Sequence, residues 1–315
     1  MSEIHVMTPG AEERIHSVWS DLAALTKPRL NLLVLVAIAA GFYLGTPATA
    51  PHTVQMNWSA FAAVLIGALL VASGSSALNQ FREQDIDKQM HRTRDRPLPM
   101  GRMNSRMGLT LGITFALIGA AVLATWTNAL ATSLSLCSLV LYVFLYTPLK
   151  RSTTLNTIVG AVPGAIPPLI GWAAANNPEG FWSFSLALPA WTLFGIVFLW
   201  QMPHFLAIAW MYRVDYARAG FAMLPVQDTD GRSTGFQALI YAAALVPISL
   251  SPTLFHLTGK SYALGAAFLS ITFCVFAALF ALKRTDRAAR LLFLASIIYL
   301  PLLLALLVLD KAGWI

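Results

Sequence analysis

Asn79, Glu83 and Asp87 recur at intervals of four within the stretch LNQFREQDIDKQMHRTRDRPLP, Leu78 to Pro99. On a helix advancing about 100° per residue, the three drift by only about 80° and share one face. Asp85 points elsewhere unless the helix ends first. An amide and carboxylates in a row are hard oxygen ligands of the kind Mg²⁺ takes, with water and substrate phosphate completing its shell. The candidate metal set is therefore Asn79, Glu83, Asp87 and Asp85. The interleaved bases, Arg92 and Arg96 among them, add planar bidentate donors for phosphate oxygens. Acids alone would repel a phosphate and bases alone would not hold a metal, so the mixture suggests a metal-bridged diphosphate. The plainer reading is a charged cytoplasmic loop, with arginines for orientation and acids for solubility. It leaves the placement of Asn79 at a helix end unexplained.

A second cluster lies in FLWQMPHFLAIAWMYRVDYARAGFAMLPV. Asp215 follows an apolar run and is flanked by Arg213 and Arg218. On a continuous helix His204 and Asp215 fall within about 20° of each other. Both clusters run from acid and arginine to a Leu-Pro step, Leu98-Pro99 and Leu224-Pro225, and four apolar runs separate them. That spacing implies two pseudo-repeated four-helix halves around a central cavity, since sites at repeat interfaces are common in membrane proteins.

The elements that must position these residues follow from composition. Of 315 residues 57% are hydrophobic and 11% charged, against about 25% charged in a soluble domain. Several runs exceed the roughly 20 residues that cross a bilayer core, and they lack the alternation of barrel strands. The expected class is an all-α polytopic membrane protein with nine transmembrane helices, near 30–47, 59–80, 107–126, 129–147, 154–175, 188–211, 236–256, 262–282 and 291–310. Residues 1–29 form a cytoplasmic N-terminal segment and 30–315 the integral-membrane domain. With the N-terminus inside, nineteen of the 21 Lys and Arg fall on the cytoplasmic side and only Lys260 and Lys311 outside, which supports both the count and the direction. The formal net charge of +7 then needs no nucleic acid. The tail-end bases Lys283, Arg284, Arg287 and Arg290 serve the same topology. Outer loops such as NNPEGFWSFS are short and nearly uncharged, which argues against an extracellular binding domain. The N-terminus reads as neither a signal peptide nor a transit peptide, leaving a bacterial inner membrane as the simplest address. Cys137 and Cys274 sit in apolar runs and read as small buried hydrophobes. His5, His16, His52 and His256 carry no spacing signal.

The chain resembles the intramembrane aromatic prenyltransferases of the UbiA superfamily, and within it the protoheme IX farnesyltransferase (heme O synthase) branch. The landmarks are LTKPRL (25–30), NQFREQDIDKQMHRTRDRPLP (79–99), YTPLKRSTTLN (146–156), GAVPGAIPPLIGWAA (160–174), WQMPHF (200–205) and DYARAGFAMLPV (215–226). The first acid motif maps onto Asn79, Glu83 and Asp87. The second meets Asp215 but finds Ala219 where another acid is expected, which puts a full second Mg²⁺ site in doubt. The resemblance implies farnesyl transfer from farnesyl diphosphate to a vinyl group of heme B, with Mg²⁺ as cofactor and heme B as substrate. Arg92, Arg96, Lys150 and Arg151 become candidate cations for the leaving diphosphate, and apolar helices would exclude water from the farnesyl tail. It also implies partners such as heme A synthase or terminal oxidase assembly factors.

An intramembrane ionisable residue is a functional candidate, so His204 could ligate or hydrogen-bond heme or contact a propionate; a structural histidine is the competing and commoner reading. Trp200 could line the lipid slot or be an ordinary interfacial tryptophan, as could Trp210. Tyr146 could sit in the cavity; Asn156 is a weaker candidate. Gly160, Gly164 and Gly171 read as close helix-packing positions. Two alternatives stay open: a prenyltransferase acting on a quinone precursor, and a transporter. Transporter charges usually lie near mid-membrane, whereas the acids here cluster at the cytoplasmic edge.

Overall fold

The computed structural model describes residues 17–50, 53–176 and 186–311. Most of the outer loop NNPEGFWSFS and the first sixteen residues, His5 and His16 included, lie outside that range, as does His52. Helix α1 (Val18–Thr26) is capped by the Ser17 hydroxyl and ends at Lys27, which takes the left-handed conformation (φ 52°). Pro28 then opens α2 (Pro28–Gly45), at the one helical position where its missing N–H costs nothing. A minimal antiparallel pair, β1 (Ala48–Ala50) and β2 (Thr53–Val54), follows.

Next come α3 (Trp58–Asp87), α4 (Ser105–Trp126), α5 (Ala129–Leu149), α6 (Asn156–Ala175) and α7 (Leu188–Met211). Asparagine side chains cap three of these: Asn57 accepts from the Ala60 amide, Asn104 from that of Arg106 and Asn128 from that of Ala131, each satisfying a donor the helix itself leaves free. Short helices α8 (Arg213–Arg218) and α9 (Leu224–Gln227) lead into α10 (Arg232–Leu254), α11 (Lys260–Lys283) and α12 (Asp286–Lys311). Among the described residues, nine helices are long and apolar enough to cross a membrane, α2 to α7 and α10 to α12. The protein is a multi-pass membrane protein of all-α class. Leu117, Leu264 and Phe268 are exposed on the outer faces, as lipid contact requires.

Two hydrophobic cores share α2 and α6. Ala37, Ala40 and Leu44 of α2 join a core with α7, α10, α11 and α12, while Ile38 and Phe42 join one with α3, α4 and α5. Helices α2 and α6 approach at backbone contact: a methyl group on Gly171 would strike the Ile38 carbonyl. Small residues permit such approach where no hydrophobic force draws helices together.

Three departures from the sequence reading bear on the site. Helix α3 runs seven residues past its expected end near position 80, about 10 Å at 1.5 Å per residue, because Glu83 and Asp87 are buried against partners instead of released to water. The chain from Leu141 to Tyr146 in α5 forms a π turn, which shifts the side-chain register and is often found at functional sites. Helical continuity breaks at Tyr212, so His204 and Asp215 do not share one helix.

Candidate active site

The π turn and the overlong α3 meet. Asn79, Glu83 and Asp87 do share one face, and all three are buried. The Asn79 amide donates to Glu83 Oε2 (3.0 Å) and to Thr147 Oγ1 (3.0 Å), while the Tyr142 hydroxyl donates to Asn79 Oδ1 at 3.4 Å. Lys150 Nζ meets Glu83 Oε1 at 2.8 Å and lies 4.6 Å from the Tyr146 ring centroid. The ring has room because Gly160 faces it; a Cβ there would lie 2.5 Å from Tyr146 Cε2. Gly164 likewise makes space for Gln201. Arg96 Nη1 holds Asp87 Oδ2 at 2.7 Å, and the Thr93 hydroxyl donates to the Asp87 carbonyl at 3.0 Å. Arg92 lies over the Tyr212 and Tyr216 rings and donates to the Tyr216 hydroxyl at 3.2 Å.

These groups line a cavity of about 500 Å³, within the usual range for a ligand pocket. Its rim carries Lys27, Glu83, Asp87, Arg92, Arg96 and Lys150, and its depth is apolar, with Ile38, Val71, Ile170 and Val197 on the walls and Trp200 and His204 on the α7 side. The segment after α8 closes the rim. The Ala222 amide donates to the Lys150 carbonyl (2.7 Å) and Asn156 Nδ2 to the Ala222 carbonyl (2.9 Å), which seats Tyr216 and Phe221 against the cavity. A second hollow of about 580 Å³, between α10 and α11, is lined by Arg232, Phe236 and Leu282 and holds no acid. It faces outward, away from this chemistry.

Two lysines show the local field. Burial works most strongly against the charge on Lys150, but the Tyr146, Glu83 and Tyr142 side chains around it outweigh that and hold its pKa above the ordinary lysine value. Lys27 lacks such a partner. Burial first, then the positive charges of Arg96 and Lys150, lower its pKa to about 7.

The structure assembles most of the sequence-derived set and separates three members from it. Asp85 is 83% exposed and paired with Lys88 at 2.9 Å, on the other side of α3 from the cavity, so it stands apart from the metal set. Asp215 turns to Arg218 (3.1 Å) on α8 and lines no part of the cavity. Arg151 is exposed while its neighbour Lys150 is buried. Cys137 is exposed and Cys274 partly so, against the expectation that both are buried; on a lipid-facing helix an apolar run no longer implies an interior position. Sequence reasoning passed over Lys27 and Tyr142. A lysine just before proline at a membrane edge was the signal for the first; the second became accessible only through the π turn.

Among the described residues no cluster of three or more His, Cys, Asp or Glu converges. A magnesium–diphosphate site does not demand one, because the ion takes one or two carboxylates and fills the rest with water and phosphate. Asp87 Oδ1 is buried without a hydrogen-bond partner, an unsatisfied hard oxygen beside a basic rim. That donor set fits a divalent ion held by Asp87, Glu83 and Asn79.

A family model described as the UbiA prenyltransferase family matches residues 30–298. A relative from Solibacter usitatus named protoheme IX farnesyltransferase is 43% identical over 302 residues, spanning 93% of this chain and 99% of its own. One of the same name from Koribacter versatilis is 40% identical over 304 residues, 94% and 95% of the two chains. Among solved structures, one described as digeranylgeranylglyceryl phosphate synthase in membranes superposes with a TM-score of 0.75 at 14% identity, covering 94% of this chain and 99% of its own. A UbiA homologue from Archaeoglobus fulgidus bound to GPP and Mg²⁺ gives 0.63 at 15%, covering 91% and 99%. At that identity the likeness shows the fold.

Proposed function

Since the chain belongs to the UbiA prenyltransferase family, we propose that it transfers a farnesyl group from farnesyl diphosphate to a vinyl group of heme B with addition of water, giving heme O and diphosphate. The observation that carries this reading is the division of one cavity into a buried charged rim and an apolar depth. An allylic diphosphate has that polarity. Near-full-length likeness to proteins named protoheme IX farnesyltransferase supports heme as acceptor over a quinone precursor.

In this reading Lys150, Arg96, Arg92 and Lys27 receive the diphosphate, and preorganised cations at the point where charge develops lower the barrier. Asp87, Glu83 and Asn79 would hold Mg²⁺, which when bound would screen the negative charge of the leaving diphosphate. The allylic C–O bond breaks, with its electron pair leaving on the diphosphate. The vinyl terminus of heme then bonds to farnesyl C1, and the cation left beside the porphyrin takes water and releases a proton, forming the hydroxyethyl group. The Tyr142, Tyr146 and Phe221 rings around Lys150 place electron-rich faces where a carbocation would form, and the apolar walls keep water out until capture. Trp200 and His204 face the acceptor. Asp215, paired with Arg218, and the exposed Arg151 take no part in the transfer.

The same reading puts the N-terminus and the charged rim on the cytoplasmic side of a bacterial inner membrane, and hands a hydrophobic product to a heme A synthase or oxidase assembly factor. The test is to incubate purified protein with heme B, farnesyl diphosphate and Mg²⁺ and to seek heme O by mass spectrometry. Absence of heme O alongside prenylation of a quinone precursor would reject the acceptor. Solute uptake without any prenylated product would reject the enzyme.

A further inference from the structure

The α7 side of the cavity holds a polar arrangement that diphosphate chemistry leaves unused. The His204 ring stacks on Trp200 (centroids 5.2 Å apart, planes at 23°) and on Phe293 of α12 (5.1 Å, 29°). Its Nδ1 lies 2.7 Å from Ser296 Oγ. Ser296 is buried, and its hydroxyl donates to the Phe293 carbonyl at 2.5 Å, a back-bond within α12. The Ser296 carbonyl in turn accepts the Trp200 indole N–H at 2.8 Å. A serine hydroxyl has one hydrogen. With that hydrogen committed to Phe293, Oγ can offer His204 only a lone pair, so Nδ1 must carry the imidazole proton. The free lone pair of a neutral imidazole then sits on Nε2, and His204 lines the cavity.

We infer that Ser296 is a positioning residue that fixes His204 as its Nδ1–H tautomer and so presents Nε2 as a lone-pair donor to the iron of a porphyrin in this cavity. The assignment of the iron rests on the function proposed above; the tautomer does not. Metal-binding histidines almost always donate their other ring N–H to an oxygen, which orients the ring. Here a serine whose own proton is engaged supplies that oxygen, and two aromatic rings hold the plane. The indole bond from Trp200 links the same two helices, so the ring, its stacking partner and its acceptor move as one unit.

Two measurements decide it. The first is ¹⁵N NMR of the histidine-labelled full chain in lipid without heme, with the His204 signals identified by their loss in His204→Asn. The expected result is a single Nδ1–H tautomer in the wild type and a mixture or the Nε2–H form in Ser296→Ala, with Ser296→Thr restoring the wild-type pattern. An Nε2–H wild type, or an unchanged tautomer in Ser296→Ala, overturns the inference. The second is optical titration with ferric heme b. Ser296→Ala should weaken heme binding about 10- to 100-fold and lose the imidazole-ligated spectrum, while KM for farnesyl diphosphate stays unchanged. Heme O formation with an unaltered spectrum in Ser296→Ala overturns the inference but leaves the proposed activity standing. The expected tautomer shift in a protein that makes no heme O does the reverse.

Discussion

Replacing Lys150 by methionine tests whether the buried charge at the rim is held by mutual neutralisation. Glu83 and Lys150 are 5% and 8% exposed and their charged atoms lie 2.8 Å apart. Methionine keeps the length of the stem and its apolar contacts but strands the carboxylate, which retains only the Asn79 amide at 3.0 Å. Breaking a buried pair from one side costs about 3–5 kcal/mol. The double variant Glu83→Gln/Lys150→Met, with no charge left to strand, should recover most of the loss. Equilibrium unfolding in mixed micelles, followed by tryptophan fluorescence, measures all four corners of the cycle. A Lys150→Met variant as stable as the wild type, or a double variant no more stable than the single, would show that the pair is not what the site rests on. Farnesyl transfer should remain at least about 100-fold down in the double variant, because a cation at the leaving group is lost whatever the stability.

Asp87→Asn should abolish Mg²⁺-dependent turnover while leaving the protein in the membrane, whereas Asp85→Asn should leave it within about twofold; steady-state assays across Mg²⁺ concentrations separate the two. Lys27, with its pKa near 7, should be largely neutral at pH 8, and the arriving negative charge raises that value. Its contribution to diphosphate binding is thus complete below pH 7 and is lost as pH rises through the bound-state pKa, so binding at pH 8 should take up a proton that Lys27→Met does not. Calorimetry in two buffers of different ionisation enthalpy counts that proton. Gly160→Ala, whose new Cβ would strike the Tyr146 ring, should lower kcat about 10-fold or more with little change in heme affinity, and unaltered kcat would remove Tyr146 from the reacting zone.

Much of the scaffold was legible in the sequence for reasons that are local. Runs of about twenty apolar residues cannot be anything but spans, and the skew of Lys and Arg leaves little freedom in their number. The shared face of Asn79, Glu83 and Asp87 follows from a spacing of four. What escaped depends on contacts between distant segments. The extension of α3 to Asp87 needs Lys150, 67 residues after Glu83, and Arg96 on the following loop. The exposure of Arg151 beside buried Lys150 is a matter of one helical step after the π turn, and no periodicity announces a π turn. Ser296 looked like any small polar residue in a long apolar helix until its partner on α7 was in view.

Asp215 shows why symmetry misled. Two acid-bearing loops at equivalent places suggested two equivalent half-sites, yet only the first sends carboxylates into the cavity. With Ala219 where a partner acid would be, a lone Asp215 turned inward would add one more negative charge to a rim meant for diphosphate. Instead its side chain, only 16% exposed, pairs with Arg218 at 3.1 Å and lines no part of the cavity. The second half contributes instead through the segment between Tyr216 and Phe221, whose aromatic rings stack under Arg92 and beside Lys150. The rim keeps Arg92, Arg96 and Lys150 against Glu83 and Asp87, and Lys27, with its pKa near 7, adds a further positive charge when it is protonated. In the proposed function the first half would hold the charge, and the second would supply the segment that closes the rim and, through His204, the wall that faces the acceptor.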